Sequence, residues 1–248
     1  MSSLAPLLRA SLVFPSPGEA LLPQTFIDSA SPELQALAAL ITEGSVSKRE
    51  LAIRAFEHIR DSVPYEFMAK FRPDQYRAMH VLDAGRGFCV QKAVLLAALL
   101  RACGIPSALV LGNLKDHTMP RRIVKALGTN VMHGHGFTAV WLDGEWLLVD
   151  ASHDARFATR KGYELVSWDG ACDALIAATA LDGRRHAQFV ALQGVFLDLP
   201  FEALLKLFAE AYAEFDLEAL AAAGLPVADM LSGDLGSDWL LSLDRKQA

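Results

Sequence analysis

From Ala93 to Leu100 the chain reads Ala-Val-Leu-Leu-Ala-Ala-Leu-Leu, with no polar side chain. Residues of this kind favour a helix, and a helix that is apolar all round its axis must be enclosed on every side. The run is far short of the roughly 20 residues a bilayer span requires, so the rest of the chain is expected to do the enclosing and no membrane partner is expected. A chain of 248 residues is long enough for that, since one of this size buries about 70–75% of its unfolded surface. Gly85-Arg86-Gly87 leads into the helix at about Cys89, Gly104 stops it and Pro106 prevents its continuation.

The flanking segments supply candidate walls. Residues 1–30 contain Pro6, Pro15, Pro17 and Pro23 and read as an extended arm or strand. Ser31-Pro32 opens a helix with Leu34, Leu37, Ala38 and Ile41 on one stripe, and Gly44 ends it. Ser47-Lys48-Arg49-Glu50 is a capping box ahead of Leu51, Ala52, Ala55, Phe56 and Ile59, a helix that Pro64 closes. Tyr65 to Asp83 reads as a less regular connection. Ser107 to Gly112 reads as a strand, and 113–133, with Arg121, Arg122 and Lys125, as a loop or short helical excursion. His135 to Leu142 and Glu145 to Val149 are β-prone runs joined by Asp143-Gly144, a strong hairpin signal. The pattern then weakens until Phe201, Leu204, Leu205, Phe208, Tyr212 and Phe215 mark an amphipathic helix, followed by a loop-like tail with a patch at Trp239-Leu240-Leu241. Helices, a helix–strand step and a hairpin point to an α+β fold. The expected division is an arm over 1–30, a core over 31–160 and an extension over 161–248 that packs on the core as one domain.

The chemistry concentrates on three residues. A thiol nucleophile needs thiolate character, a base and a group that orients the base. Cys89 sits where a glycine-flanked loop enters the long helix, and there the unpaired N–H groups and the helix dipole favour an anion. The same N–H groups can receive an oxyanion. His135 opens one hairpin strand and Asp150 closes the other, so the tight turn folds the two ends side by side. Cys103, at the far end of the same helix, and Cys172 lack this setting.

The blocks around these residues resemble the transglutaminase-like superfamily. Gly87-Phe88-Cys89, Arg101-Ala102-Cys103-Gly104-Ile105-Pro106 and Val110-Leu111-Gly112 are similar to its nucleophile segment. His135-Gly136-Phe137-Thr138-Ala139-Val140 and Asp143-Gly144-Glu145-Trp146-Leu147-Leu148-Val149-Asp150 resemble its histidine and aspartate strands. Ile59-Arg60-Asp61-Ser62-Val63-Pro64-Tyr65 resembles the approach to them, and the likeness covers roughly 45–155. It implies a papain-like, transglutaminase-like core in which the central Cys helix packs on an antiparallel sheet carrying His and Asp. Cys89 would be the nucleophile, His135 the general base and acid, and Asp150 the orienter, acting on an amide through a thioester with hydrolysis expected over cross-linking. The aromatic after His135 is Phe137 where the family commonly has Trp, and no upstream oxyanion-supporting side chain is identifiable by motif.

Other readings stay open at the sequence level. A noncatalytic binding or scaffold protein could use the same fold. His133, His135, Asp150 and His153 could form a metal site, although no recognised ligand spacing follows, and otherwise His133 and His153 line the cleft mouth. Gln91, Phe137 and His133 are weaker candidates for substrate contact. Arg101 is expected to cap or pair at the helix end, and Arg121, Arg122 and Lys125 to form a solvated basic loop. No cofactor or metal is expected. The partner is expected to be a small-molecule, peptide or protein substrate, with homo-oligomer contact conceivable through the C-terminal helices. The formal charge of −6 argues against nonspecific nucleic-acid binding. Three irregularly spaced cysteines argue against a disulfide framework, and Arg9, Pro15 and Pro17 break up any signal peptide, so a reducing, cytoplasmic setting is expected.

Overall fold

A computed structural model describes residues 4–45, 47–66 and 72–212. The prolines of the first thirty residues do not keep the chain extended. Pro6 begins a short helix, α1 (Pro6–Ala10), at the one helical position where its missing N–H costs nothing, and a 3-10 turn follows at Glu19–Leu21. The expected arm or strand is corrected accordingly. Arg9 fastens this segment by donating to Asp173 (2.6 and 3.2 Å) and to the Trp146 carbonyl (2.7 Å), while Phe14 stacks on Trp146.

Helix α2 (Pro32–Thr42) buries Leu34, Ala38 and Ile41. In α3 (Lys48–Ser62) the Ser47 hydroxyl accepts from the Glu50 N–H, as the capping box requires. The connection expected over 65–83 contains a 3-10 turn, Pro73–Tyr76, and helix α4 (Ala78–Ala84). Helix α5 (Cys89–Ala102) is buried from Cys89 to Arg101. Helices α2, α3 and α4 enclose it on one side and the sheet on the other.

The sheet is made of β1 (Ser107–Asp116), β2 (Val131–Leu142), β3 (Glu145–Val149) and β4 (Ala187–Phe196). Its order is β3-β2-β1-β4 and its pairs are antiparallel. Strand β1 runs past Gly112 to Asp116, and a helix, α6 (Arg121–Leu127), occupies much of the segment between β1 and β2. Asp143 and Gly144 both have positive φ (51° and 90°), the geometry that lets a two-residue turn follow strand twist. Helix α7 (Ala155–Lys161) follows β3. Strand β4 comes from the expected C-terminal extension and pairs with β1, so extension and core share one sheet.

Helix α8 (Phe201–Ala211) buries Phe201, Leu204 and Phe208 and packs on β2. It closes over Gly134, which has a φ of 69° and where a Cβ would stand 2.6 Å from Leu204 Cδ1. Phe215 and the tail with Trp239-Leu240-Leu241 lie outside the described residues. Among the described residues, no helix is long and apolar enough to cross a membrane.

Candidate active site

Cys89 is the first residue of α5, and its side chain is almost wholly enclosed. At this position the backbone N–H has no intrahelical acceptor. The loop that delivers it is held from two directions. Gly87 donates to the Pro64 carbonyl and accepts from Glu66 N–H, both at 3.1 Å, so that 64–66 runs beside it. Gln91 supplies the second tie. Its Oε1 accepts from Phe88 N–H (3.2 Å) and its Nε2 donates to the Gln75 carbonyl (2.7 Å). The expectation that Gln91 touches substrate is therefore corrected: both ends of its amide brace the nucleophile loop, and the residue is buried.

His135 reaches Cys89 because two glycines let elements approach. A Cβ on Gly136 would lie 2.6 Å from Val90 Cα and 3.1 Å from Val90 N, so only glycine allows β2 this close to the first turn of α5. Opposite His135 on β1 stands Gly112, where a Cβ would meet Leu192 at 2.8 Å and Phe189 at 3.0 Å. The freed space admits Phe189, which packs against both His135 and Phe137. Phe137 is thus part of the floor under the imidazole and is fully buried, which corrects its assignment as a substrate contact.

Asp150 follows β3 directly and meets His135 across the hairpin. Its Oδ2 lies 2.7 Å from His135 Nε2, and neither side chain is exposed to solvent. Its Oδ1 accepts from the Ser152 N–H at 2.9 Å, and its own N–H donates to the Ala174 carbonyl at 2.8 Å. The carboxylate therefore has a fixed orientation. His135 Nδ1 is buried without a hydrogen-bond partner, which leaves that nitrogen for the thiol.

Electrostatics reinforce the arrangement. Burial works against an imidazolium at His135, but the charges of Cys89 and Asp150 and the hydrogen bond to Asp150 outweigh it and push its pKa up to about 10. Burial likewise opposes ionisation of Asp150, and the charge and hydrogen bond of His135 hold its carboxyl below the usual range. Tyr65 is pushed well up by burial and by the charges of Cys89 and Asp150, so its phenol stays protonated beside the thiol. Burial also pushes Tyr212 up, to about 12, with a further push from Cys89.

The two other histidines of the set weighed for a metal, His133 and His153, go elsewhere. His133 packs edge-on against Tyr212, whose hydroxyl accepts from the His133 N–H at 2.9 Å. His153 sits among Tyr65, Phe157 and Tyr163, and burial pushes its imidazole down to about 3. The set His133, His135, Asp150 and His153 is not assembled, and among the described residues no group of three or more His, Cys, Asp or Glu is arranged to hold a metal ion. Arg101 does tie the helix end as expected, donating to the carbonyls of Leu22, Ser107 and Leu197.

The sequence reading gives no part to Phe189 and places Tyr65 only in the approach segment and at the start of the irregular connection. Lys92, which no sequence signal marks, is among the largest fully buried side chains. An apolar stripe signals neither the cross-strand neighbour of a glycine nor the burial of a lysine.

No curated protein sequence matches the chain. Among solved structures it resembles a candidate cysteine protease from Cytophaga hutchinsonii, with 16% identity, a TM-score of 0.43, and 78% of this chain and 57% of that one covered. It also resembles the periplasmic domain of TgpA from Pseudomonas aeruginosa (23% identity, TM-score 0.39, 58% and 49% covered). A third is the arylamine N-acetyltransferase from Mycobacterium abscessus (16% identity, TM-score 0.36, 53% and 47% covered). The chain spans about half the length of these solved chains. The family match lies where the site lies: residues 35–151, from within α2 to just past Asp150, match the transglutaminase-like superfamily, and over that segment the chain is transglutaminase-like.

Proposed function

We propose that the chain is a cysteine-dependent acyl-transfer enzyme, and within that class a hydrolase of an amide or related carbonyl in a peptide, protein or small molecule. The observation that carries this reading is the buried 2.7 Å contact of His135 Nε2 with Asp150, combined with an unpartnered Nδ1 on the ring held against Cys89. What sets His135 apart is its two neighbours, the Asp150 carboxylate on one side of the ring and the Cys89 thiol on the other.

The Cys89 thiolate attacks the carbonyl carbon, and the C=O electron pair moves onto oxygen. The Cys89 N–H at the start of α5 receives that oxyanion. His135 Nδ1–H passes its proton to the leaving nitrogen as the C–N bond breaks, giving a thioester and a free amine. Water then attacks the thioester, delivers a proton to Nδ1, and the acid departs as the thiolate reforms. Asp150 accepts from Nε2–H throughout and fixes the tautomer.

The test is the rate of Cys89 alkylation by iodoacetamide against pH, located by peptide mass spectrometry, in wild type and His135→Ala. Alkylation that persists well below pH ~8.5, the range of an ordinary thiol, and is lost in His135→Ala is the expected result. Identical profiles for the two proteins would remove the triad, and a noncatalytic binding protein would become the better reading.

A further inference from the structure

Lys92 lies one turn along α5 from Cys89 and is wholly buried. Its ammonium donates to the carbonyls of Val63 (2.6 Å) and Arg60 (3.1 Å). These stand at the end of α3, where carbonyls have no intrahelical donor. An ammonium here carries the desolvation cost of a buried ion, which opposite charges nearby have to offset. Asp154 holds the same segment from its other side: Oδ2 accepts from the Tyr65 N–H at 2.7 Å, and Oδ1 caps α7 through Phe157 N–H at 2.8 Å. Between them, Lys92 and Asp154 clamp 63–65, the stretch that runs beside Gly87 and so sets the approach to Cys89.

We propose that Lys92 is a positioning residue for the triad: its buried ammonium fixes 63–65 against the nucleophile loop and supplies the cation that offsets the buried carboxylates Asp150 and Asp154. The inference rests on the reading of Cys89, His135 and Asp150 as a triad. The groups that share this environment are Arg60 and Asp61 on α3, and Asp150, His153 and Asp154 after β3. Burial pushes Lys92 down to about 7, while Asp154, Asp150 and Asp61 pull it up and Arg60 pushes it down. Its charge is therefore present on the acid side of neutrality, where it favours an anion at Cys89, and is lost on the alkaline side.

That asymmetry separates an electrostatic role from a merely structural one. Lys92→Met keeps the bulk of the side chain and removes the charge. A unit charge about 10 Å from a titrating group, at an effective dielectric constant of about 20, moves it by about one unit. The acid limb of the Cys89 alkylation profile is expected to rise by about one pH unit, a roughly tenfold lower rate on that limb, while the rate near pH 9 stays within about twofold. Superimposable profiles for a folded variant overturn the proposal.

A second measurement covers a variant that does not fold. In protein labelled with carbon-13 and nitrogen-15 lysine, the NMR titration midpoint of Lys92 is followed in wild type and Asp150→Asn. A lower midpoint in the variant is expected, and an unmoved one overturns the proposal. This arm is independent of thiol chemistry: an inert wild-type Cys89 with a shifted Lys92 midpoint would remove the acyl-transfer reading and leave Lys92 coupled to Asp150.

Discussion

Gln91 shows how much a single residue's setting decides. A glutamine two residues from a candidate nucleophile invites a substrate role, yet a glutamine at the third position of a helix is also placed to accept from the N-cap N–H. The second possibility is the one realised, with Phe88 as the donor. Removing the side chain leaves Phe88 N–H and the Gln75 carbonyl without these partners, and an unsatisfied buried group costs about 1–3 kcal/mol. Gln91→Ala should therefore lower the urea midpoint and slow Cys89 alkylation together, because the loop that aims the thiol loosens. A substrate contact would behave differently, leaving the denaturation curve in place.

At the scale of elements, the site is one helix start pressed against one strand, and Gly136 is where they touch. Gly136→Ala puts a Cβ 2.6 Å from the Val90 Cα, a clash with backbone that no rotamer relieves. Overpacking of this kind costs about 1–3 kcal/mol, and the movement that relieves it carries His135 away from Cys89. Circular dichroism should report a folded variant, with Cys89 alkylation below neutral pH reduced at least about tenfold, because roughly an ångström of misplacement is that expensive. A folded variant with wild-type alkylation would separate the Gly136 contact from the reactivity of Cys89. Helix α5 and the β2–β3 hairpin were legible in the sequence because their signals are local: an uninterrupted apolar run, a glycine entry, an Asp-Gly turn. Strand β4 was not. Ala187–Phe196 lies at the sheet edge with several half-buried positions, so its alternation is blurred, and it pairs with β1 across a long stretch of intervening chain. Helix α4 escaped because seven residues carry too little periodicity to read.

The whole molecule carries a pattern no local window contains, since His135, Asp150, His153 and Lys92 are all buried within the same core. Their burial comes from elements distant in sequence, so composition gives no warning of it, and the consequence appears as a dependence of stability on pH. On the alkaline side two effects oppose each other. His135 keeps its proton to about 10 in the folded state, so its contribution is complete below the unfolded value of about 6.5 and fades as pH rises toward 10. Lys92 has the opposite sign: folded, it releases its proton at about 7, while the unfolded chain holds it to about 10.4, so its contribution rises with pH across that range. On the acid side, no shift resolved among the described residues offsets His153. The unfolded chain protonates it at about 6.5, whereas the folded protein does so only at about 3, so the unfolded state binds more protons between these values and stability falls as pH falls. Asp150 adds a loss of the same sign below the ordinary carboxylate range. His153 alone should account for up to about 3 kcal/mol between pH 6.5 and 4. Urea denaturation of wild type at pH 7 and pH 4.5 should show the drop. His153→Phe keeps an aromatic ring among Tyr65, Phe157 and Tyr163 and should shallow it by close to one proton's worth. An unchanged slope in that variant would place the acid sensitivity on His58, His133 and His186, whose imidazoles burial also pushes down.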